Sequence, residues 1–166
     1  YFFCYYYFME AKSTNRCKLC GVEKDVKEFN KDRNQCIPCK NSAQLRKASA
    51  SYVAFCRLLF TNCKCGHKSR RKKVADLEFR LVAEDIVKLW EKQDGKCALT
   101  GLFLTHHRDG SGYKEHNASI DRINPAVGYT PENIQLVCFR INIMKHSLTE
   151  DMFYWWVKTI NNFSCD

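Results

Sequence analysis

Nothing in the 166-residue sequence reads as a membrane anchor or a secretory leader. The opening Tyr1-Phe2-Phe3-Cys4-Tyr5-Tyr6-Tyr7-Phe8 is apolar but too short to span a bilayer, and it has neither a basic flank nor a small-residue cleavage site. Met9 reads as a natural start, which makes residues 1 to 8 translated upstream sequence or the end of a fragment. No internal repeat occurs beyond two Cys pairs, and no coiled-coil pattern argues for dimerisation. These absences argue against a membrane partner. They point to an intracellular setting: the cytoplasm, or a host cell if the source is viral.

Acidic residues are also in short supply. There are 18 against 27 Lys and Arg, a formal net charge of +9 that favours a polyanionic partner. The imbalance is local. Lys64, Lys68, Arg70, Arg71, Lys72 and Lys73 fall within ten residues that contain no acid. Such a run is either a solvated loop or a phosphate-contacting patch.

Cysteine is abundant, at 11. With no secretory leader, the paired spacings favour metal binding in a reducing compartment over disulfides. Cys17-x-x-Cys20 and Cys36-x-x-Cys39 are separated by fifteen residues. Each pair forms a tight knuckle presenting two thiolates, and two knuckles complete a closed tetrahedral Cys4 zinc site of the structural kind. Between them only Val22, Val26 and Phe29 are apolar, so the metal must supply folding energy. Cys63-x-Cys65-x-His67 offers three ligands with no evident fourth and reads as a free-thiol loop.

Four segments follow: a tail (1–16), a Cys4 zinc module (17–40), a basic helical connector (41–75) and a larger domain (76–166). In the connector, Leu45, Ala48, Tyr52, Cys56 and Leu59 make one apolar stripe, with helical character fading near Thr61-Asn62. A second helix is predicted from Ala83 to Gln93, with Glu84 and Asp85 in its first turn and Gly95 as its stop. A last helix begins at the N-cap Thr149, with Phe153, Trp156, Val157 and Ile160 facing the core.

Between these helices lies the most informative stretch. Ala118-Ser119-Ile120-Asp121-Arg122-Ile123 reads as a strand, Asn124-Pro125 and Gly128-Tyr129 as turns, Ile134 to Val137 as a return strand and Cys138 onward as a helix. On that helix Cys138, Asn142 and Lys145 share a face, so Asn142 can point back at Asp121. A carboxylate and an amide oxygen, completed by water and a phosphate oxygen, suit Mg²⁺ or Mn²⁺.

This strand–turn–strand–helix order resembles the ββα-metal module of HNH endonucleases, in the variant whose final His is Asn. Leu77-Glu78-Phe79-Arg80-Leu81, Trp90 and Gln93-Asp94-Gly95-Lys96-Cys97-Ala98-Leu99-Thr100-Gly101 are similar to the lead-in of small phage-type members. The resemblance implies an α+β fold, a divalent metal on Asp121 and Asn142, and a structural role for Asn133, which orders the loop by hydrogen bonds. It also implies hydrolysis of a nucleic-acid phosphodiester, with DNA as the partner and RNA left open.

This chain departs from the family at several places. Val82 stands where the helix start is usually Thr or Ser, which weakens the cap. Thr100 and Ile141 stand where second halves of zinc knuckles would lie, so Cys97 and Cys138 read as neighbouring buried thiols. Arg122 replaces the His that normally activates water. Arginine stays protonated and cannot readily take a proton, though it can clamp phosphate. His116 is then the leading candidate base, because it shares strand parity with Arg122, followed by His106 and His107.

The reading is therefore a zinc-containing HNH-like DNA endonuclease of phage or viral type. Asp121, Arg122, Asn142 and His116 would be its catalytic set. Lys68, Arg70, Arg71, Lys72, Lys73 and Lys145 would be its nucleic-acid contacts. The rival is a non-catalytic nucleic-acid-binding protein with a degenerate module, which Arg122 keeps in play. A double-strand cut would need a homodimer or two successive nicks.

Overall fold

A computed structural model of the chain describes residues 13–29, 34–71, 77–108 and 114–164. Two compact units divide between Leu45 and Arg46.

In the first unit, strands β1 (Thr14–Arg16) and β2 (Glu23–Asp25) pair antiparallel, Thr14 opposite Asp25 and Arg16 opposite Glu23. The turn between them closes through the Gly21 amide to the Cys17 carbonyl (2.9 Å). Gly21 has φ of 70°, a conformation that side-chain-bearing residues avoid. A short 3₁₀ turn follows at Val26–Glu28, its Lys27 amide held by the Asp25 carboxylate (2.8 Å). The second knuckle opens helix α1 (Ile37–Ser49). Cys17, Phe29 and Cys36 form the buried centre, with Cys39 packed against it. So small an apolar core is marginal without a cross-link or a metal.

The second unit takes in the end of α1 and continues with helix α2 (Tyr52–Arg71). The stripe expected to run unbroken from Leu45 to Leu59 is interrupted at 50–51. There Ser51 Oγ accepts the Ala54 amide (3.2 Å) and caps a new helix. Nor does the helix fade at Thr61-Asn62. Thr61 bonds its hydroxyl back to the Arg57 carbonyl (2.9 Å), and Phe60, Cys63 and His67 carry the buried side onward. His67 is enclosed by Phe79 and Tyr129, at 5.0 and 6.2 Å between ring centroids. The stretch that reads as a connector thus supplies Phe55 and Cys56 to the main core.

Helix α3 (Ala83–Lys92) packs on α2. Val82 offers its cap no side-chain acceptor, but the Asp85 carboxylate takes the Val82 amide (2.8 Å), which is half of a capping box. Beyond α3, Asp94 and Gly95 both adopt positive φ. Gln93 then spans to the return strand, donating to the Leu136 carbonyl (2.8 Å) and accepting the Leu136 amide (2.9 Å).

Strands β3 (Ala118–Arg122) and β4 (Ile134–Cys138) form an antiparallel hairpin, Ala118 opposite Cys138 and Arg122 opposite Ile134. Helix α4 (Phe139–Lys145) follows without a loop, and helix α5 (Glu150–Ser164) closes the chain. The fold is α+β, and β3–β4–α4 is the ββα order read from the sequence. Every residue of β4 is buried. Among the described residues, no helix is long and apolar enough to cross a membrane.

Helix α5 differs from expectation. Phe153 is buried, but Trp156, Val157 and Ile160 are exposed. The helix is held at its start, by Gln135 bonding Glu150 (2.7 Å) and Tyr154 bonding the Leu99 carbonyl (3.0 Å). Its apolar periodicity therefore does not mark a core-facing side.

One glycine is fixed by close approach. The Tyr129 amide bonds the Glu78 carbonyl (2.9 Å) and the Arg80 amide bonds the Tyr129 carbonyl (2.9 Å), which draws the two backbones together. A Cβ on Gly128 would lie 2.0 Å from the Glu78 carbonyl oxygen. Gly128→Ala should therefore destabilise the second unit by at least the ~1–3 kcal/mol of an overpacked site, read by denaturant melting. An unchanged midpoint would mean this contact is not maintained.

Candidate metal centres

In the first unit, Cys17, Cys20, Cys36 and Cys39 bring their sulphurs within 4.8 Å of one another. Among the described residues they are the one such cluster of His, Cys, Asp and Glu. A tetrahedral zinc with ~2.3 Å bonds to sulphur needs edges of about 3.8 Å; the Cys20 and Cys36 sulphurs are 4.0 Å apart. Amides of Leu19 and Cys36 point at the Cys17 sulphur (both 3.4 Å). Amide donors from Cys36 and Cys20 draw the Cys17 thiol down to about 6. Sharing its hydrogen with the Cys36 and Cys20 sulphurs pushes Cys39 up to about 12. The set fits a closed, structural zinc site.

The second site is built on the ββα module. Asp121 is buried, on the inward side of β3. The Lys145 ammonium, from the end of α4, lies 3.1 Å from both of its carboxylate oxygens, and Gln135 of β4 donates to Oδ2 (3.0 Å). Lys145 also donates to the Arg122 carbonyl (2.9 Å) and has no solvent exposure. It was expected among the phosphate-contacting cations; the structure spends it on a buried ion pair instead. Its long stem reaches inward because residue 145 follows Asn142 on the face of α4 that looks at β3.

Asn142 lies one turn before Lys145. Its amide nitrogen donates to the Ile120 carbonyl (3.1 Å) and to Ser119 Oγ (2.6 Å). Both nitrogen hydrogens are thereby committed, which leaves Oδ1 as the coordinating atom. Asp121 and Asn142 line one cleft of about 380 Å³, together with Ile120, Arg122, Pro125, Tyr129, Phe139, Ile143, His146 and Ser147. An all-oxygen pair on one open cleft fits a hard divalent cation that keeps several waters. The carboxylate retains lone pairs beyond those used by Lys145 and Gln135.

Arg122 bonds the Val127 carbonyl (3.2 Å), and its guanidinium stacks 5.2 Å from the centre of the Tyr129 ring. Asn133 makes three side-chain bonds to the hairpin loop: to the Asn124 amide (2.9 Å), the Asn124 carbonyl (3.1 Å) and the Gly128 carbonyl (2.9 Å). His116 sits apart from these residues. It is exposed on a 3₁₀ turn (Lys114–His116) and is not in the cleft lining. That turn is drawn to α4 by Arg140, whose fork on Glu115 holds the carboxyl below its ordinary range. Strand parity with Arg122 fails as a guide because the chain leaves extended geometry before Ala118. His106 packs near Phe55 and Trp90 (both 6.3 Å), and His107 stacks on His106.

The histidine that does line the cleft is His146, which sequence reasoning passed over. It follows α4 in a tight turn closed by the Leu148 amide on the Lys145 carbonyl (2.9 Å). At φ 49° and ψ −111° it holds the first central position of a II′-type turn, where glycine is preferred. Its Nδ1 is 3.1 Å from Ser147 Oγ, which leaves Nε2 for a second partner. The available signal was its spacing, one helical turn after Asn142. Gln135 was also missed; a lone amide in the apolar run Ile134 to Cys138 was its mark.

Cys97 and Cys138 are buried neighbours, the Cys138 amide donating to the Cys97 sulphur (3.3 Å). Burial pushes the Cys138 thiol up to about 11. Burial also acts upward on Cys97, but hydrogen bonds from Thr100 and the Cys138 amide outweigh it and the thiol is lowered. In the basic run, Lys68 is exposed on α2. Helix α2 extends through Arg70 and Arg71, whose side chains lie outside the described residues, as do Lys72 and Lys73.

No family model and no curated protein matches the chain. Among solved structures it is similar to the rare-cutting HNH restriction endonuclease PacI, at 16% sequence identity over 89% of this chain and 94% of that one, with a TM-score of 0.41.

The geometry makes two predictions. Purified protein should carry one zinc per chain by elemental analysis. Cys17→Ser with Cys36→Ser should abolish it and collapse amide dispersion across residues 13–40, while the second unit stays folded. For the buried pair, Lys145→Met should cost about 3–5 kcal/mol by leaving Asp121 charged and unpaired. Mg²⁺ should raise the melting temperature of Lys145→Met more than that of the wild type. Equal Mg²⁺ shifts in the two proteins would dissociate Asp121 from cation binding.

Proposed function

We propose that the chain is a divalent-metal-dependent DNA endonuclease of HNH type. The observation that carries this reading is the pairing of the Asp121 carboxylate and the oriented Asn142 amide oxygen on one open cleft. Asp121 and Asn142 would hold the cation. Bound there, a Mg²⁺ or Mn²⁺ ion would polarise the scissile phosphate and stabilise the leaving 3′ oxygen.

The chain's own residues supply the rest. Asn142 presents one fixed oxygen, because Ile120 and Ser119 hold its amide. The Arg122 guanidinium, stacked on Tyr129, neutralises phosphate charge as it builds up and does not take the proton. His146 takes it: a water oxygen attacks phosphorus, the phosphorus–O3′ bond breaks, and the water's proton passes to Nε2. This assignment replaces His116, which lies off the cleft. Keeping a non-glycine residue at a glycine-favouring backbone position costs of order 1–3 kcal/mol, and such strain concentrates at functional sites. Lys68 and the basic end of α2 would contact the nucleic-acid backbone.

The non-catalytic binder remains the second reading, favoured by two features of the cleft. Lys145 already neutralises Asp121, and Arg122 stands where a base is usual. A supercoiled-plasmid assay in Mg²⁺, Mn²⁺ or EDTA separates the two. The wild type should nick only with metal, and Asp121→Ala should not nick at all. His146→Ala should lose about 10²–10⁴-fold, with partial rescue by added imidazole. His146→Gly should be equally inactive yet more stable by roughly 1 kcal/mol, since its backbone strain is relieved. No nicking of plasmid or branched DNA by folded, zinc-loaded protein would favour the binder.

A further inference from the structure

The loop from Lys96 to Phe103 repeats the turn of the Cys4 site without its metal set. In the first unit the Cys17 amide bonds the Val22 carbonyl (3.1 Å), the Gly21 amide bonds the Cys17 carbonyl (2.9 Å), and Gly21 takes φ of 70°. In the second unit the Cys97 amide bonds the Leu102 carbonyl (2.8 Å), the Gly101 amide bonds the Cys97 carbonyl (2.9 Å), and Gly101 takes the same φ of 70°. Thr100 stands where the first turn has Cys20. Such a turn aims amides at the sulphur of its first cysteine. The Leu19 amide meets the Cys17 sulphur (3.4 Å), and the Leu99 and Thr100 amides meet that of Cys97. The Cys97 sulphur also takes the Thr100 hydroxyl and the Cys138 amide (3.3 Å). Four donors therefore converge on it. Among the described residues, no third His, Cys, Asp or Glu joins Cys97 and Cys138 in a metal-holding group.

Donors of this kind favour a thiolate, and the thiolate is the nucleophilic form of cysteine. The contrast is Cys56, equally buried, whose thiol is pushed up to about 12 by burial and the Glu91 charge. Cys97 is itself buried, but its loop neighbours Ala98 and Thr100 are exposed, which suits a reagent little larger than water. Beside it the Cys138 thiol hydrogen-bonds the Cys97 sulphur.

We propose that Cys97 and Cys138 are a peroxide-reactive pair that closes to a disulfide, with a hydroperoxide as the oxidant. The Cys97 sulphur attacks one peroxide oxygen, the O–O bond breaks, and the departing hydroxide takes up the proton that the thiol gave up. Cys97 is then a sulfenic acid. The Cys138 sulphur attacks the Cys97 sulphur, the S–O bond breaks, and hydroxide leaves with the Cys138 proton as a second water. Two thiols and one hydrogen peroxide give one disulfide and two waters; the sulphurs lose the two electrons that the peroxide gains. The order of events is set by the pair itself. The charge on Cys97 and the hydrogen bond to it both hold the proton on Cys138, and both vanish once Cys97 is oxidised. The bond fastens the loop to the residue that caps α4, the helix of Asn142 and Lys145. This chemistry does not depend on the nuclease reading.

The test treats the full, zinc-loaded chain with hydrogen peroxide, blocks the remaining thiols under denaturing conditions and maps tryptic peptides. Cleavage after Lys96, Arg108, Arg122 and Arg140 leaves each of the two cysteines alone in its peptide. Wild type should give peptides 97–108 and 123–140 joined, and a dithiol reductant should part them. Cys138→Ser should stop at the sulfenic acid, captured on Cys97 by dimedone. Thr100→Val, a change at an exposed position, should slow the linkage about tenfold by removing one hydrogen bond to a charged sulphur. Recovery of both wild-type peptides as blocked thiols, at peroxide levels that already eject the zinc, overturns the proposal. Linkage in Thr100→Val at the wild-type rate overturns it too, because the donors would then play no part.

Discussion

The ion pair between Asp121 and Lys145 is the contact on which the second unit turns. It joins β3 to the last residue of α4, and through Gln135 it extends to β4 and to Glu150 at the start of α5. Four elements thus meet at one buried carboxylate. Two charges withdrawn from water cost several kcal/mol each, and their attraction recovers that only with good geometry and further hydrogen bonds. Here Lys145 also reaches the Arg122 carbonyl, and the Gln135 amide serves two carboxylates at once. Packed apolar residues could stabilise the same junction as well. What the ionic version adds is a carboxylate held in one place at the floor of a cleft.

Around that junction, side-chain amides do work that regular structure does elsewhere. A two-stranded hairpin is marginal by itself, and its loops leave many backbone groups to be satisfied. Gln93 serves Leu136; Asn133 serves Asn124 and Gly128; Asn117 bonds the His107 amide and carbonyl and accepts the Thr105 hydroxyl. Three carboxamides, each acting as donor and acceptor, stand in for missing neighbouring strands. Asn142 belongs to the same class but differs in one respect: its nitrogen is committed and its oxygen is not.

Much of this was legible in the sequence because it is local. Two Cys-x-x-Cys pairs specify a site by spacing alone, and the strand–turn–strand–helix order follows from periodicity and turn residues within thirty positions. What was hidden depends on tertiary context. Lys145 read as a surface cation because nothing local announces that its ammonium meets Asp121. Helix α2 read as fading because Thr61 and Asn62 are poor helix formers, yet Thr61 bonds its own helix and His67 finds aromatic partners. Helix α5 has the apolar rhythm of a core helix, and rhythm says that a face is apolar without saying what covers it. His146 is hidden because strand parity does not reach it, whereas a II′-type turn aims residues by backbone geometry.

The Gln93 clamp also bears on how the chain avoids the wrong company. Leu136 sits in the middle of β4, where an unpaired strand edge would invite a foreign strand. Gln93 occupies both its amide and its carbonyl, and the Ala98 amide takes the same carbonyl again (3.0 Å). The rim of the sheet is therefore sealed from within, by one side chain acting as a false strand. At Leu136, fibril-like stacking through this hairpin finds no free rung.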